Sequence, residues 1–283
     1  MGVARDIVAL TKPKITLLNV AAALACYVAS GGSPTGIPLL GALGYGAAGG
    51  SSVLNNVVDS DVDGRMRRTA RRPIPSGRVS RRTALILGTA LTSVSVLLAS
   101  IAFNPLTAVA MLLGALSYVL LYTLYLKRRT DLNIVIGGIA GSFPPLAGAA
   151  AASGTFTPVS IAVAALIFLW TPGHFWSLAI KASEDYRAAG LPMMPVTRGI
   201  RTTALAIAVS NALLIACWLL LTTVLENPVP FLLLTSVPTV LLSVETLRLL
   251  RRPDASNAWR SFKLSSPWLL LVLIGTVLSS TVR

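Results

Sequence analysis

Apolar residues run along this chain in nine stretches of membrane-spanning length, roughly residues 14–31, 36–58, 83–102, 105–126, 133–152, 157–180, 203–225, 229–248 and 265–282. A bilayer core needs about 20 such residues per helix. No stretch alternates polar and apolar over about ten residues, as a membrane barrel would. The expectation is an all-α polytopic membrane protein with nine transmembrane helices, one integral-membrane domain over residues 1–283. Basic residues precede the first stretch, as in a signal peptide, but no small-residue cleavage site leads into a polar mature domain. It is read as the first span.

Composition agrees: 54% hydrophobic, 12% charged and a mean hydropathy of +0.74 exclude an ordinary soluble domain. The net charge of +14 would suit a nucleic-acid binder if it were spread over a soluble surface, but its placement points elsewhere. Alternate connections hold Arg5, Lys12 and Lys14; eight arginines within 65–82; Lys127, Arg128 and Arg129; Lys181, Arg187, Arg198 and Arg201; and Arg248, Arg251, Arg252, Arg260 and Lys263. Of the 24 basic residues only Arg283 falls on the other side. The positive-inside rule places the N terminus in the cytoplasm and the C terminus outside, with membrane lipid as the partner and no nucleic acid. Cys26 and Cys217 lie inside apolar runs without CxxC spacing, so neither a disulfide framework nor a thiolate metal site is indicated.

The chemistry concentrates at NNVVDSDVDGRMRRTARRPIPSGRVSRR. Asn55, Asp59 and Asp63 are four residues apart, so a continuing helix puts all three on one face, each about 6 Å beyond the last. Carboxylates that hold a hard cation, followed by a field of guanidinium groups, form a receptor for a metal-bound diphosphate. Arginine runs also serve only to fix orientation and touch anionic lipid. Acids at a membrane boundary, however, cost free energy unless paired or functional, and the three aspartates upstream favour a site.

Other features remain open at this level. TKPKIT before the first span is read as a charged anchor, with Pro13 able to begin the helix. The second span, LLGALGYGAAGGSSVLNN, is rich in small residues and is expected to be buried among neighbours. Tyr118, Tyr122 and Tyr125 fall on one α-helical stripe leading to Lys127, either an interfacial belt or a cavity wall. Gly137 and Gly141 stand at helix-packing spacing ahead of a break at Pro144 and Pro145. His174, the only histidine, sits about two turns inside the basic boundary between Trp170 and Trp176. Such a residue is either a hydrogen-bonded core group or, being ionisable within a span, a functional one. Glu184 and Asp185 reach the same face as the first acids and offer a second cation site. An echo joins the two loops: after Asp63, and again after Asp185, come prolines, Gly and Arg, then Thr-Ala opening the next helix. That is compatible with an ancestral duplication whose halves face one cavity.

Together NNVVDSDVD, RRTARRPIPSGRVS, YTLYLKRR, NIVIGGIAGSFPPLAG and LWTPGHFWSLAIKASEDYRAAGLPMMPV resemble the UbiA superfamily of intramembrane prenyltransferases, and within it the branch that acts on heme, over roughly residues 10–200. The resemblance implies nine helices around a central cavity, Mg²⁺, and farnesyl diphosphate and heme b as substrates, with a heme A synthase or oxidase assembly factor as a possible downstream partner. It implies a metal held by Asn55, Asp59 and Asp63, joined by Asp185; a diphosphate met by Arg72, Arg78, Lys127 and Lys181; and heme against His174, Trp170 and Trp176. The second acid motif departs from the pattern of two aspartates four apart, since Asp185 is followed four residues later by Ala189. The site is expected to face the cytoplasm from the plasma membrane.

The rival readings are a relative that prenylates a quinone precursor or chlorin, a membrane transporter, and a heme-binding chaperone. A transporter would want a mid-membrane acid pair that the sequence does not place. A chaperone would leave Asp59 and Asp63 without a task.

Overall fold

A computed structural model describes residues 2–281, which hold helices and turns and no strand. Among the described residues the long elements are α1 Gly2–Leu10, α2 Pro13–Ala29, α3 Pro34–Val58, α4 Arg81–Ala102, α5 Pro105–Leu126, α6 Asn133–Ser153, α7 Pro158–Lys181, α8 Gly199–Thr222, α9 Pro228–Arg251 and α10 Ala255–Thr281. The eight from α3 to α10 are long and apolar enough to cross a membrane, and α1 with α2, bent by 50° at their junction, makes up to nine spans. Arg283, the one basic residue expected beyond the opposite end, lies outside the described residues.

Helix starts follow local chemistry. Proline, whose missing N–H costs nothing in a first turn, opens α2, α7 and α9. Side-chain oxygens of Ser80, Asn104 and Thr157 accept from Thr83, Thr107 and Ser160 backbone N–H groups at 3.0, 2.9 and 3.3 Å. In α6 the break precedes the two prolines: a 3₁₀ stretch, Gly138–Ser142, separates two α-helical pieces, and Pro144 and Pro145 begin the second.

The spans form a closed ring in chain order from α2 to α10, with α10 returning onto α2, while α2 also lies against α6 and α10 against α7. Small residues permit the tightest crossings. A Cβ on Gly50 of α3 would come within 2.8 Å of the Gly88 carbonyl oxygen of α4. A Cβ on Gly148 of α6 would come within 1.9 Å of the Ala23 carbonyl oxygen of α2. The half of α3 nearest the acids is thus the buried helix its composition predicts. Trp218, Phe231, Leu242 and Trp268 anchor the core among α7 to α10. Both indoles satisfy their N–H on neighbouring threonines, Thr235 and Thr239, each at 2.9 Å.

The long connections meet at the basic end. Met66, from the arginine-rich loop, packs with Trp176, Ile180, Leu191 and Met193 of the second loop region. Arg128 pairs with Asp61 at 2.8 Å, and Arg198 with Asp131 at 2.5 Å, holding both carboxyls below the usual carboxylate range. The two loops that echo each other in sequence touch where the Arg68 backbone N–H donates to Asp185 at 3.3 Å.

Candidate active site at the basic end of the bundle

The helical rise of α3 carries into the acids although the helix proper stops at Val58. Asp59 N–H donates to the Asn55 carbonyl at 2.9 Å and Asp63 N–H to the Asp59 carbonyl at 2.7 Å, so the four-residue register persists through a separate turn, Ser60–Asp63. Asn55, Asp59 and Asp63 are 2%, 1% and 1% exposed. Carboxylates so buried need partners. Asp59 Oδ2 accepts from Lys127 Nζ at 2.6 Å and Asn55 Nδ2 at 2.9 Å; Asp63 Oδ2 accepts from Arg72 Nη1 at 2.6 Å.

Lys127 reaches Asp59 because the second half of α5, Ser117–Leu126, is a π-helix. With bonds running five residues back, positions five apart share a face. Lys127 N–H bonds to the Tyr122 carbonyl at 2.8 Å, and the Thr123 hydroxyl to the Tyr118 carbonyl at 2.7 Å. This register turns Thr123 toward Asn55, whose Nδ2 donates to its hydroxyl at 2.9 Å, and turns Tyr125 outward beneath the Arg129 guanidinium. The α-helical stripe expected of the three tyrosines is therefore corrected: Tyr118 and Tyr122 stack with centroids 6.1 Å apart, and Tyr125 is exposed. Tyr122 lies over Gly137, where a Cβ would approach its ring to 2.5 Å.

One oxygen on each acid, Asp59 Oδ1 and Asp63 Oδ1, is buried with no hydrogen-bond partner. Two such hard donors, with cations behind their other oxygens, fit a divalent hard cation that itself binds an anion. Lys12, in the break between α1 and α2, donates to Asn55 Oδ1 and, at 3.1 Å, to the Tyr118 hydroxyl.

The remaining predicted residues are distributed around this centre. Arg78 pairs with Asp6 at 3.0 Å and stands on the rim of a cleft of about 630 Å³ that Arg5, Lys12, Arg68, Arg71 and Arg72 also line. Asp185, Lys181 and Glu184 line a second cleft, of about 290 Å³, with Arg68 and Trp259. Arg68 belongs to both. Among the described residues no three acids, histidines or cysteines converge as one metal shell, so Asp185 does not join Asp59 and Asp63 around a single point.

His174 lies deeper, on the α7 face toward α10. Its ring stacks between Trp170 and Phe262, with centroids at 4.2 and 4.4 Å, and its Nδ1 bonds with the Ser265 hydroxyl at 2.6 Å. Trp170 Nε1 donates to the Ser265 carbonyl at 3.0 Å. Trp176, two residues on and so on another helix face, packs instead with Ile180 and Met193 in the loop core, its indole N–H buried without a partner.

The sequence profile described as the UbiA prenyltransferase family matches residues 17–277. The chain belongs to the UbiA prenyltransferase family. Among UbiA relatives, a protoheme IX farnesyltransferase of Sulfurisphaera tokodaii is 40% identical over 282 residues, which cover 96% of this chain and 92% of that one. Another of that name, from Metallosphaera sedula, is 42% identical over 271 residues, 95% of this chain and 94% of its own. A UbiA homologue from Archaeoglobus fulgidus, solved bound to GPP and Mg²⁺, superposes with a TM-score of 0.72 over 96% of this chain and 99% of that one, at 18% identity.

Two residues of this UbiA site escape sequence reading. Thr123 is hidden by the assumption of α-helical spacing, and only the one-residue shift of a π-helix exposes it. Lys12 stands 43 positions from Asn55. Its only signal is the basic TKPKIT segment, which reads as an anchor.

Proposed function

We propose that this protein transfers the farnesyl group of farnesyl diphosphate to a vinyl group of heme b, with addition of water, giving heme O and diphosphate. The observation that carries the reading is the pair of buried, unpartnered carboxylate oxygens on Asp59 and Asp63, backed by Lys127 and Arg72. The names of relatives sharing about two-fifths of its residues support heme as the acceptor.

Asn55, Asp59 and Asp63 would hold Mg²⁺, while Asp185, in the separate second cleft, accepts from the Arg68 backbone N–H instead. When bound, the metal supplies positive charge to the diphosphate oxygens. Lys127 and Arg72 add fixed positive charge where the leaving group gains negative charge as the farnesyl C–O bond breaks. Arg78 and Lys181, at the rims of the two clefts, help to draw the anion in. The allylic cation left behind is shielded by the stacked rings of Tyr118 and Tyr122, whose faces attract positive charge without attacking it. The vinyl carbon of heme attacks the farnesyl carbon, water adds to the resulting cation, and a proton leaves to solvent. Trp170, His174, Phe262 and Trp259 form one aromatic stack. Its exposed end, Trp259, lines the second cleft and would meet a porphyrin plane there, while His174 stays enclosed behind it and Trp176 braces the loop core.

The positive-inside bias supports reading this end of the bundle, and the N terminus, as facing the cytoplasm from the cell membrane. The product then passes to the next enzyme of heme modification, of the heme A synthase type, or to an oxidase assembly factor.

Detergent-purified protein incubated with heme b, farnesyl diphosphate and Mg²⁺ is expected to yield hydroxyethylfarnesyl heme, detected by mass. Prenylated 4-hydroxybenzoate or chlorin, with no heme product, would instead place the protein in another branch of the family.

A further inference from the structure

Lys12 is the one non-glycine residue with positive φ among the described residues, at φ 50° and ψ 63°. A long side chain disfavours this left-handed conformation, which persists only where the surroundings over-determine it. Here they do. Leu10 is fully buried and its carbonyl accepts from Asn56 Nδ2 at 3.0 Å. The Thr11 hydroxyl bonds to the Val8 carbonyl at 2.8 Å and to the Tyr45 hydroxyl at 2.9 Å, and the Thr16 hydroxyl donates to the Thr11 carbonyl at 2.6 Å. The break between α1 and α2 is thereby locked with Lys12 Nζ aimed into the acid cluster.

What Nζ meets there is neutral: an amide oxygen of Asn55 and the phenol of Tyr118. Among the described residues Lys12 makes no ion pair, because Asp59 Oδ2 is taken by Lys127 and Asp63 Oδ2 by Arg72. Of the three N–H donors of this half-buried ammonium two are used, which leaves one for an anion entering from the cleft. The Asn55 amide adds a second constraint. Its Nδ2 donates to the Asp59 carboxylate, an acceptor only, and to Thr123, so its Oδ1 is the atom left to face a metal. Lys12 occupies that atom. Its side chain also lines the larger cleft beside Arg68, Arg71 and Arg72, so an anion entering there passes it.

We propose that Lys12 holds the metal's place on Asn55 in the free protein and moves onto the diphosphate when metal and diphosphate arrive together. It is a diphosphate-binding residue delivered by the α1–α2 break. The inference rests on reading Asn55, Asp59 and Asp63 as the metal–diphosphate site.

Two probes separate the roles, both read at equilibrium on full-length protein in detergent: Mn²⁺ alone, followed by its electron paramagnetic resonance, and inorganic pyrophosphate in saturating Mg²⁺, followed by calorimetry. Lys12→Met is expected to bind Mn²⁺ alone more tightly, since its competitor is gone, yet to bind pyrophosphate about tenfold more weakly, the scale of one hydrogen bond to a charged group. Lys12→Arg should recover most of the pyrophosphate affinity. A Lys12→Met protein whose pyrophosphate affinity is unchanged, or whose Mn²⁺ affinity falls, overturns the assignment. Amine labelling of the native protein guards against a variant that fails to fold. Mass spectrometry should find Lys12 labelled faster with Mg²⁺ alone and more slowly with Mg²⁺ and pyrophosphate; labelling indifferent to both also overturns it. Native protein that binds no pyrophosphate in Mg²⁺ would sink the reading of the acid site itself, whereas native binding with an indifferent Lys12 would sink only this proposal.

Discussion

Asp59→Asn is expected to slow formation of farnesylated heme by on the order of 10³-fold, the scale seen when one preorganised electrostatic group is removed from a transition state. Asparagine matches aspartate in shape, so packing at this 1%-exposed position is kept while its charge is lost. Two consequences add. The unpartnered Oδ1 ceases to be an anionic donor for the metal, and Lys127, 2.6 Å from Oδ2, loses its counterion and the orientation that aims it at the leaving group. The buried lysine left behind should also lower the melting temperature. The assay is therefore run where both proteins are folded, with product mass and tryptophan fluorescence followed on the same samples. Product within about tenfold of the native amount, against that 10³-fold expectation, would mean that Asp59 is a structural partner of Lys127 and that the metal sits elsewhere.

Gly148→Ala is expected to cost about 3 kcal/mol or to prevent folding, the upper range for forcing a methyl group into a packed interior. The added carbon would lie 1.9 Å from the Ala23 carbonyl oxygen. That oxygen belongs to backbone and cannot rotate away, so α2 and α6 must separate. Because α2 also packs on α3 and α10, the displacement would spread around the ring. Gly154→Ala is the control: it closes the same helix, has φ +74° and would meet nothing within 4 Å, so only local backbone strain of about 1 kcal/mol is expected. Thermal unfolding in detergent reads both variants. Equal melting temperatures would show that the α2–α6 crossing can relax.

Much of the architecture is legible in the sequence because membrane spans and their flanking charges are strong local signals. The positions of Asn55, Asp59 and Asp63 on one face are equally legible, since a four-residue repeat needs only a continuing helical rise. His174 is harder. Its spacing to Trp170 implies a shared face, as observed, while Trp176 at two residues' remove belongs on another; sequence neighbourhood alone grouped all three. The final helix supplies Ser265 and Phe262 to His174. No local pattern predicts that a serine 91 residues away will meet the ring, because it depends on how the ring of helices closes. The second acid loop is legible as an acid near a membrane boundary, but its separate cleft and its link to Arg68 arise from loop packing around Met66.

The π-helical half of α5 makes the protein's length, as well as its letters, a determinant of activity. A helix that keeps its π-form on losing one residue would rotate everything beyond the deletion by one step of its screw, whereas a return to α-form would take up the loss. Removing Leu120, an exposed apolar residue in that segment, would leave the hydropathy of the span and the identity of every residue at the site untouched. With the π-form kept, it would nonetheless swing Lys127 off Asp59. Two descendants of one ancestor could thus share every site residue and differ in competence by one silent-looking gap, a kind of divergence that residue-by-residue comparison scores as trivial.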